Sequence, residues 1–333
     1  MNLKDKKIDS LNLELTLEIA AADYAETEKK KLAECRRRAE FKGFRKGMVP
    51  ASLIQRVYGE QCLAEAVNQT ISEGLEKYIT DNKLNILGEP LGSKNQPELE
   101  WKSGNDFTFV FDIALSPEVN VEVEASDEIP NYSVTVSAKD KAPMIESMKK
   151  YYEEHKEEGA EPKSDEDIEK EVTERLKSEY KSEAEWRLSK DIRDFYIKKA
   201  GLVLPEEFLK RWLMSANEGK VTEEQLEKEF PAFCEDFKWQ MVRGYLMKKW
   251  DFKVEDKDIQ EAAQAYVTYQ YAMYGLSNVP EDMIKEATVN ILHDQKQVER
   301  LVEQVEDQKV LAKIKETATL KATKISAAKF REL

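Results

Sequence analysis

Along residues 11–20, LNLELTLEIA, apolar and polar positions alternate: Leu11, Leu13, Leu15, Leu17 and Ile19 share one face, which predicts a half-buried strand. The period then changes. Asp23 is placed as the N-cap of a helix running to about Glu40, and Pro50 opens a second helix with Leu53, Ile54, Val57, Leu63, Val67 and Ile71 near helical spacing. Gly59 is expected to kink or break that helix. Alternation returns at Phe107, Phe109, Phe111, Ile113 and Leu115, and a turn at Ser103-Gly104-Asn105 pairs them with Leu99 and Trp101 as a hairpin. Residues 1–115 therefore predict an α+β domain with its helices on one sheet face.

Residues 116–138 hold Pro117, Pro130 and short alternating valine runs, and are expected to be an extended connector. From 139 to 333 the pattern is helical almost to the end. The expectations are one helix at about 165–200, one opened by Pro205, helices on either side of Pro231, one from Glu255 to about Tyr274, and one from Pro280 to about Lys315. A polar stretch, 151–167, interrupts this region.

Composition agrees with a mostly helical multidomain chain: of 333 residues, 35% are charged, and only 12 are Gly and 10 Pro. The net charge of -14 opposes general binding to nucleic acid or anionic membrane. Yet residues 29–46 hold nine basic side chains against Glu34 and Glu40. Cys35, Cys62 and Cys234 are odd in number and widely spaced, which argues against a disulfide framework. MNLKDKKIDSLNLEL lacks the apolar segment of a secretory signal, and no apolar run approaches the ~20 residues of a membrane span, so a cytoplasmic protein without membrane partners is expected. His155 and His293 lie in separate regions, and no nucleotide, metal or nucleophile motif occurs. No catalytic residue, metal or cofactor is expected.

The basic region ends in FKGFRKGMVP, residues 41–50. Gly43, Gly47 and Pro50 suit a turn between helices, but Phe44 does not, because turn tips favour small polar residues. An exposed aromatic beside Arg45 and Lys46 points to a contact in which the ring supplies apolar area and the cations steer.

Residues 43–50 match Gly-Phe-Arg-x-Gly-x-x-Pro at every fixed position, and the chain resembles the trigger factor family, bacterial ribosome-associated chaperones. ILGEP, FTFVFDIALSPEV, AGLVLPEEFLKRWL and RLVEQVEDQKVLAKIKETATLKATKIS extend the resemblance over nearly the whole chain. It implies an ATP-independent chaperone that docks beside the ribosomal exit tunnel and holds nascent or unfolded chains in a cradle formed by an elongated helical domain with arms. Gly43, Phe44, Arg45, Lys46, Gly47 and Pro50 would then make the ribosome contact, with Arg36, Arg37, Arg38 and Lys42 contributing less. The partners implied are an exit-tunnel ribosomal protein, adjacent rRNA, unfolded polypeptides and, off the ribosome, a second copy of the chain. The family typically inserts a prolyl isomerase domain after the connector; here 151–167 is too short and too charged to form one, so the chain is expected not to be an enzyme.

Met and aromatic residues near helix ends are candidates for client contact: Trp212, Met214, Tyr271, Met273 and Tyr274. The competing reading for each is an ordinary core position. A different functional class also remains open, an RNA-binding or scaffold protein using the basic 29–46 region.

Overall fold

The structure, a computed structural model, describes all residues except 156–162, 218–219 and 277. The chain forms two compact units: Met1–Glu118 with Val203–Cys234, and Val119–Leu202 with Glu235–Leu333.

The first unit is built on an antiparallel sheet in the order β1 (Asn2–Lys7), β2 (Asn12–Ile19), β4 (Phe107–Ala114), β3 (Leu91–Gly92). Leu13, Leu15 and Leu17 lie opposite Ile113, Phe111 and Phe109. The apolar face of the sheet packs on α2 (Ala51–Asp81) through Leu63, Val67 and Ile71, and α1 (Ala21–Arg38) adds Tyr24. The alternation at 11–19 and 107–115 thus forms the central pair of strands. β1 escapes the pattern because only Leu3 of its residues packs on the core.

Three expectations in this unit are corrected. Ala20, not Asp23, is the N-cap of α1; Asp23 occupies the third helical position and accepts the Ala20 N–H at 2.8 Å. α2 runs unbroken through Gly59, because a single glycine costs only ~1 kcal/mol against a long buried face. Residues 98–101 form no strand. The edge of β4 is met instead by the Gln96 amide, which donates to the Thr108 carbonyl at 2.9 Å and accepts the Val110 N–H at 2.8 Å. A side chain there replaces a backbone partner, and Trp101 folds over to Phe107, 5.2 Å between ring centres.

α5 (Glu206–Ala216) and the start of α6 (Glu223–Lys249) also belong to this unit. Arg211 of α5 pairs with Asp112 of β4 at 2.6 Å and donates to the Gly92 carbonyl at 2.8 Å. Gly88 is at φ +68°, and a Cβ there would lie 2.8 Å from the Trp212 ring. Pro231 does not divide two helices as expected: α6 is continuous through it, with Phe230, Cys234 and Trp239 buried along its length.

The second unit centres on α4 (Asp165–Ala200), whose bounds match the expected helix. Its buried residues fall at every fourth position: Ile168, Val172, Leu176, Tyr180, Ala184, Leu188, Ile192 and Tyr196. Four residues turn a helix by about 400°, so this line drifts about 40° per step and winds around the axis. The N-terminal part meets Met144 and Met148 of α3 (Ala138–Glu154); the C-terminal part joins Val242 and Leu246 of α6 with Val310 and Ile314 of α9 (Gln295–Thr317). α7 (Asp256–Met273) and α8 (Glu281–Leu292) pack with α9 in a smaller cluster. The single helix expected from Pro280 to Lys315 is two, because the Asp294 side chain accepts the N–H groups of Lys296 and Gln297 and caps a new start.

The expected extended connector contains β5 (Glu128–Thr135), and it pairs in parallel with β6 (Thr319–Ser326), from a region expected to be helical. Ile129 is fully buried in the same core as Ile192 and Ile314. A short helix, α10 (Ala327–Phe330), follows. Of the expected polar stretch 151–167, residues 151–154 finish α3, 165–167 begin α4, and 156–162 lie outside the described residues.

Candidate functional site

The segment between α1 and α2 consists of two successive turns. The Phe44 N–H bonds the Phe41 carbonyl at 3.0 Å and the Met48 N–H bonds the Arg45 carbonyl at 2.9 Å. Gly43 (φ +95°) and Gly47 (φ +80°) occupy the third position of each turn, where positive φ favours glycine. The two glycines of the motif are thus equivalent positions of a repeated turn, and the residues between them form its tip.

The root of the loop is held and the tip is not. Ala39, Val49 and Ile54 are buried, with Phe41 and Leu53 packed against them, and Phe41 meets Tyr58 edge-on at 6.3 Å. The Arg36 guanidinium donates to the Val49 carbonyl at 2.8 Å. Beyond that anchor Phe44 is 46% exposed and Met48 68%. Arg37, Arg38, Lys42 and Arg45 are exposed, and Lys46 pairs with Glu40 at 3.2 Å, an exposed bridge of little stabilising value. Two phenylalanines three residues apart therefore take opposite roles, one anchoring and one presented. Met48 extends the presented apolar surface; its place beside Gly47 in the same turn was the available signal.

The client-contact candidates are distributed differently. Trp212 and Met214 are half-buried in the first unit, Trp212 over Gly88 and Met214 on a cavity of about 560 Å³ with Leu91, Arg211 and Leu226. Met273 and Tyr274 are 70% and 83% exposed at the end of α7, beside half-buried Tyr271. Tyr269 of α7, Leu276 and Met283 of α8 are exposed as well. The aromatic and Met-rich stretch 237–250 is mostly core by contrast: Trp239, Val242, Leu246 and Met247 are buried.

Among the described residues no helix is long and apolar enough to cross a membrane, and no group of three or more His, Cys, Asp or Glu side chains could hold a metal ion. What the loop offers chemically is an apolar ring, a thioether and several cations on a braced turn, suited to binding rather than bond-making.

Comparison with known proteins gives matches to two family models: "Bacterial trigger factor protein (TF)" over residues 1–148 and "Probable trigger factor, C-terminal domain" over 184–333. The trigger factor of Methylocella silvestris is 29% identical over 141 residues, 41% of this chain and 30% of the relative. That of Citrifermentans bemidjiense is 32% identical over 122 residues, 37% and 27%. That of Coxiella burnetii is 26% identical over 163 residues, 49% and 36%. The aligned region thus spans about a third of the length of these curated relatives. A solved structure described under "Promiscuous Substrate Recognition in Folding and Assembly Activities of the Trigger Factor Chaperone" has the same fold, with a TM-score of 0.54 at 15% identity over 95% of this chain and 99% of that one.

Proposed function

Because the chain belongs to the trigger factor family, matching its N-terminal and C-terminal models, we propose that it is a ribosome-docking, ATP-independent chaperone of the bacterial cytosol. The observation that carries this reading is the presented tip: Phe44, Arg45, Lys46 and Met48 stand on paired glycine turns whose root is locked by Val49, Phe41 and Arg36. A braced, exposed aromatic with flanking cations is preorganised for protein contact, so little ordering entropy is lost on docking. Arg37, Arg38 and Lys42 raise the association rate, and their effect weakens with salt.

The N-terminal α+β region, 1–115, takes the docking role in this reading, and the helical region, 139–333, holds clients. The exposed Met273 and Tyr274 are the best-supported client contacts, since flexible thioether and aromatic surface accepts many sequences. Trp212 and Met214 contribute only where α5 leaves them accessible. The chain works without prolyl isomerase activity: the two family models leave only residues 149–183 between them, and α3 and α4 take up much of that interval. A protease-coupled proline-peptide assay should show no rate enhancement.

The deciding experiment is co-sedimentation of the Phe44→Ala/Arg45→Ala/Lys46→Ala variant with ribosomes. Loss of binding with an unchanged circular dichroism spectrum and melting curve is expected, because an exposed tip carries little stability. Undiminished binding would refute docking through this loop. A salt dependence as steep as that of phosphate binders would instead favour the RNA-binding reading. In the same preparations, a photo-crosslinker at position 273 should capture a denatured client.

A further inference from the structure

Beneath the docking loop two thiols face each other. Cys35 lies in the last turn of α1, where its carbonyl receives the N–H of Ala39, and Cys62 lies opposite on α2. Their sulfurs are 3.4 Å apart, although the residues are 27 positions apart in sequence. Both are free, Cys62 buried at 1% exposure and Cys35 half-buried. A disulfide bond is about 2.05 Å long, so the sulfurs need approach by only roughly 1.4 Å, a movement that side-chain rotation and a slight helix shift can supply. The loop contact just described uses neither thiol.

The surroundings give the two sulfurs different parts. Burial, and then the neighbouring Cys35 sulfur, pushes the Cys62 thiol up to about 12, with the Glu65 and Glu28 carboxylates adding to the effect. Cys62 therefore stays protonated at neutral pH and is a poor first nucleophile. Cys35, half-buried where Cys62 is buried, is the more accessible residue of the two.

We propose that Cys35 and Cys62 are a peroxide-oxidisable dithiol that closes to a reversible disulfide at the root of the loop. The Cys35 thiolate attacks one oxygen of hydrogen peroxide. An S–O bond forms, the O–O bond breaks, and the departing hydroxide takes a proton to become water, leaving Cys35 as a sulfenic acid. The Cys62 sulfur then attacks the Cys35 sulfur. An S–S bond forms, the S–O bond breaks, and the leaving hydroxide carries off the Cys62 proton as a second water. The thiols together lose two electrons and the peroxide gains them; a dithiol reductant reverses the change by exchange. The ring so closed contains the whole segment 36–61, including both glycine turns, so oxidation staples the end of α1 to α2 behind the presented tip.

The test uses the full chain, reduced and then exposed to hydrogen peroxide under native conditions. It is next alkylated in denaturant, digested and examined by mass spectrometry. The expected product is a Cys35–Cys62 cross-linked peptide pair, lighter by two hydrogens than the separate thiol peptides and cleaved by a dithiol. Cys234 should remain alkylated throughout. Cys35→Ser and Cys62→Ala should each abolish the product, and the wild-type measurement stands even if a variant folds poorly. The oxidised wild type should also melt at a higher temperature than the reduced form, a shift lost in Cys62→Ala. The proposal is overturned if Cys62 stays fully alkylatable while Cys35 proceeds to sulfinic acid, or if the only cross-link joins Cys35 of two copies. The readout does not involve ribosomes, so failure of loop docking would leave it standing, and its own failure would leave docking untouched.

Discussion

Phe41 and Phe44 carry the same side chain, and only their places in a turn decide which is packed at the root and which is left exposed. The motif made Phe44 legible as an exposed residue, because nothing about a turn calls for a ring there. It could not make the Cys35–Cys62 approach legible: spacing along the chain says nothing about two helices folded back on each other. Gly88 and Trp212 are a second such pair. A side chain at Gly88 meets both a positive φ and the indole at 2.8 Å. Gly88→Ala should therefore destabilise the first unit by more than the ~1 kcal/mol of backbone strain alone. In a double-mutant cycle read by urea denaturation, Trp212→Ala should recover the steric part and leave the strain. Simple additivity of the two changes would show that the indole does not press on this glycine.

Among the elements, the strongly periodic ones were readable. The strand at 11–19 and the helix at 165–200 each have a buried line that a single period describes. Failures came where a local signal competed with packing or pairing. Gly59 and Pro231 read as breaks, but buried faces on both sides hold α2 and α6 together. Asp294 falls inside the single helix expected from Pro280 to about Lys315, yet its carboxylate caps the start of a new one. Pro231 also gives a measurable consequence. It is exposed inside α6, where proline deletes one backbone hydrogen bond and crowds the preceding turn. Pro231→Ala should stabilise α6 by about 1–3 kcal/mol, seen as slower amide exchange around 227–235. Unchanged exchange there would mean that the helix is already relaxed around the ring.

Over the whole molecule, the sequence separated an α+β N-terminal part from a helical remainder. It did not reveal that residues 203–234 join the first unit, because Arg211 meets Asp112 through a charge pair that no periodicity marks. Acid sensitivity belongs to this scale too. Burial pushes Asp127 up, but Lys199 at 2.6 Å, the Glu124 N–H contact and the Tyr196 hydroxyl outweigh it and hold the carboxyl below its ordinary value near 3.8. A folded-state value below the unfolded one stabilises the fold above that pH, and the stabilisation is lost as pH falls through it. The urea midpoint of the second unit should therefore drop as pH falls from about 5 down through the lowered folded-state value of Asp127. Asp127→Asn should lower the midpoint at pH 7 and flatten this drop. An undiminished acid slope in the variant would assign it to other carboxylates.

The parallel pairing of β5 with β6 also sets a timetable for synthesis. Thr135 and Ile325 are 190 residues apart, yet the Thr135 hydroxyl donates to the Ile325 carbonyl and the strands bearing them are laid side by side. At about 5–20 residues per second, the earlier strand waits roughly 10–40 s for its partner to be translated. The first four strands and the loop at 41–50 are complete once Ala114 has been made. The loop at 41–50 of a newly made copy is thus complete well before β5 can pair with β6. During that interval the unpaired edge of β5 is itself an exposed segment of the kind a chaperone holds.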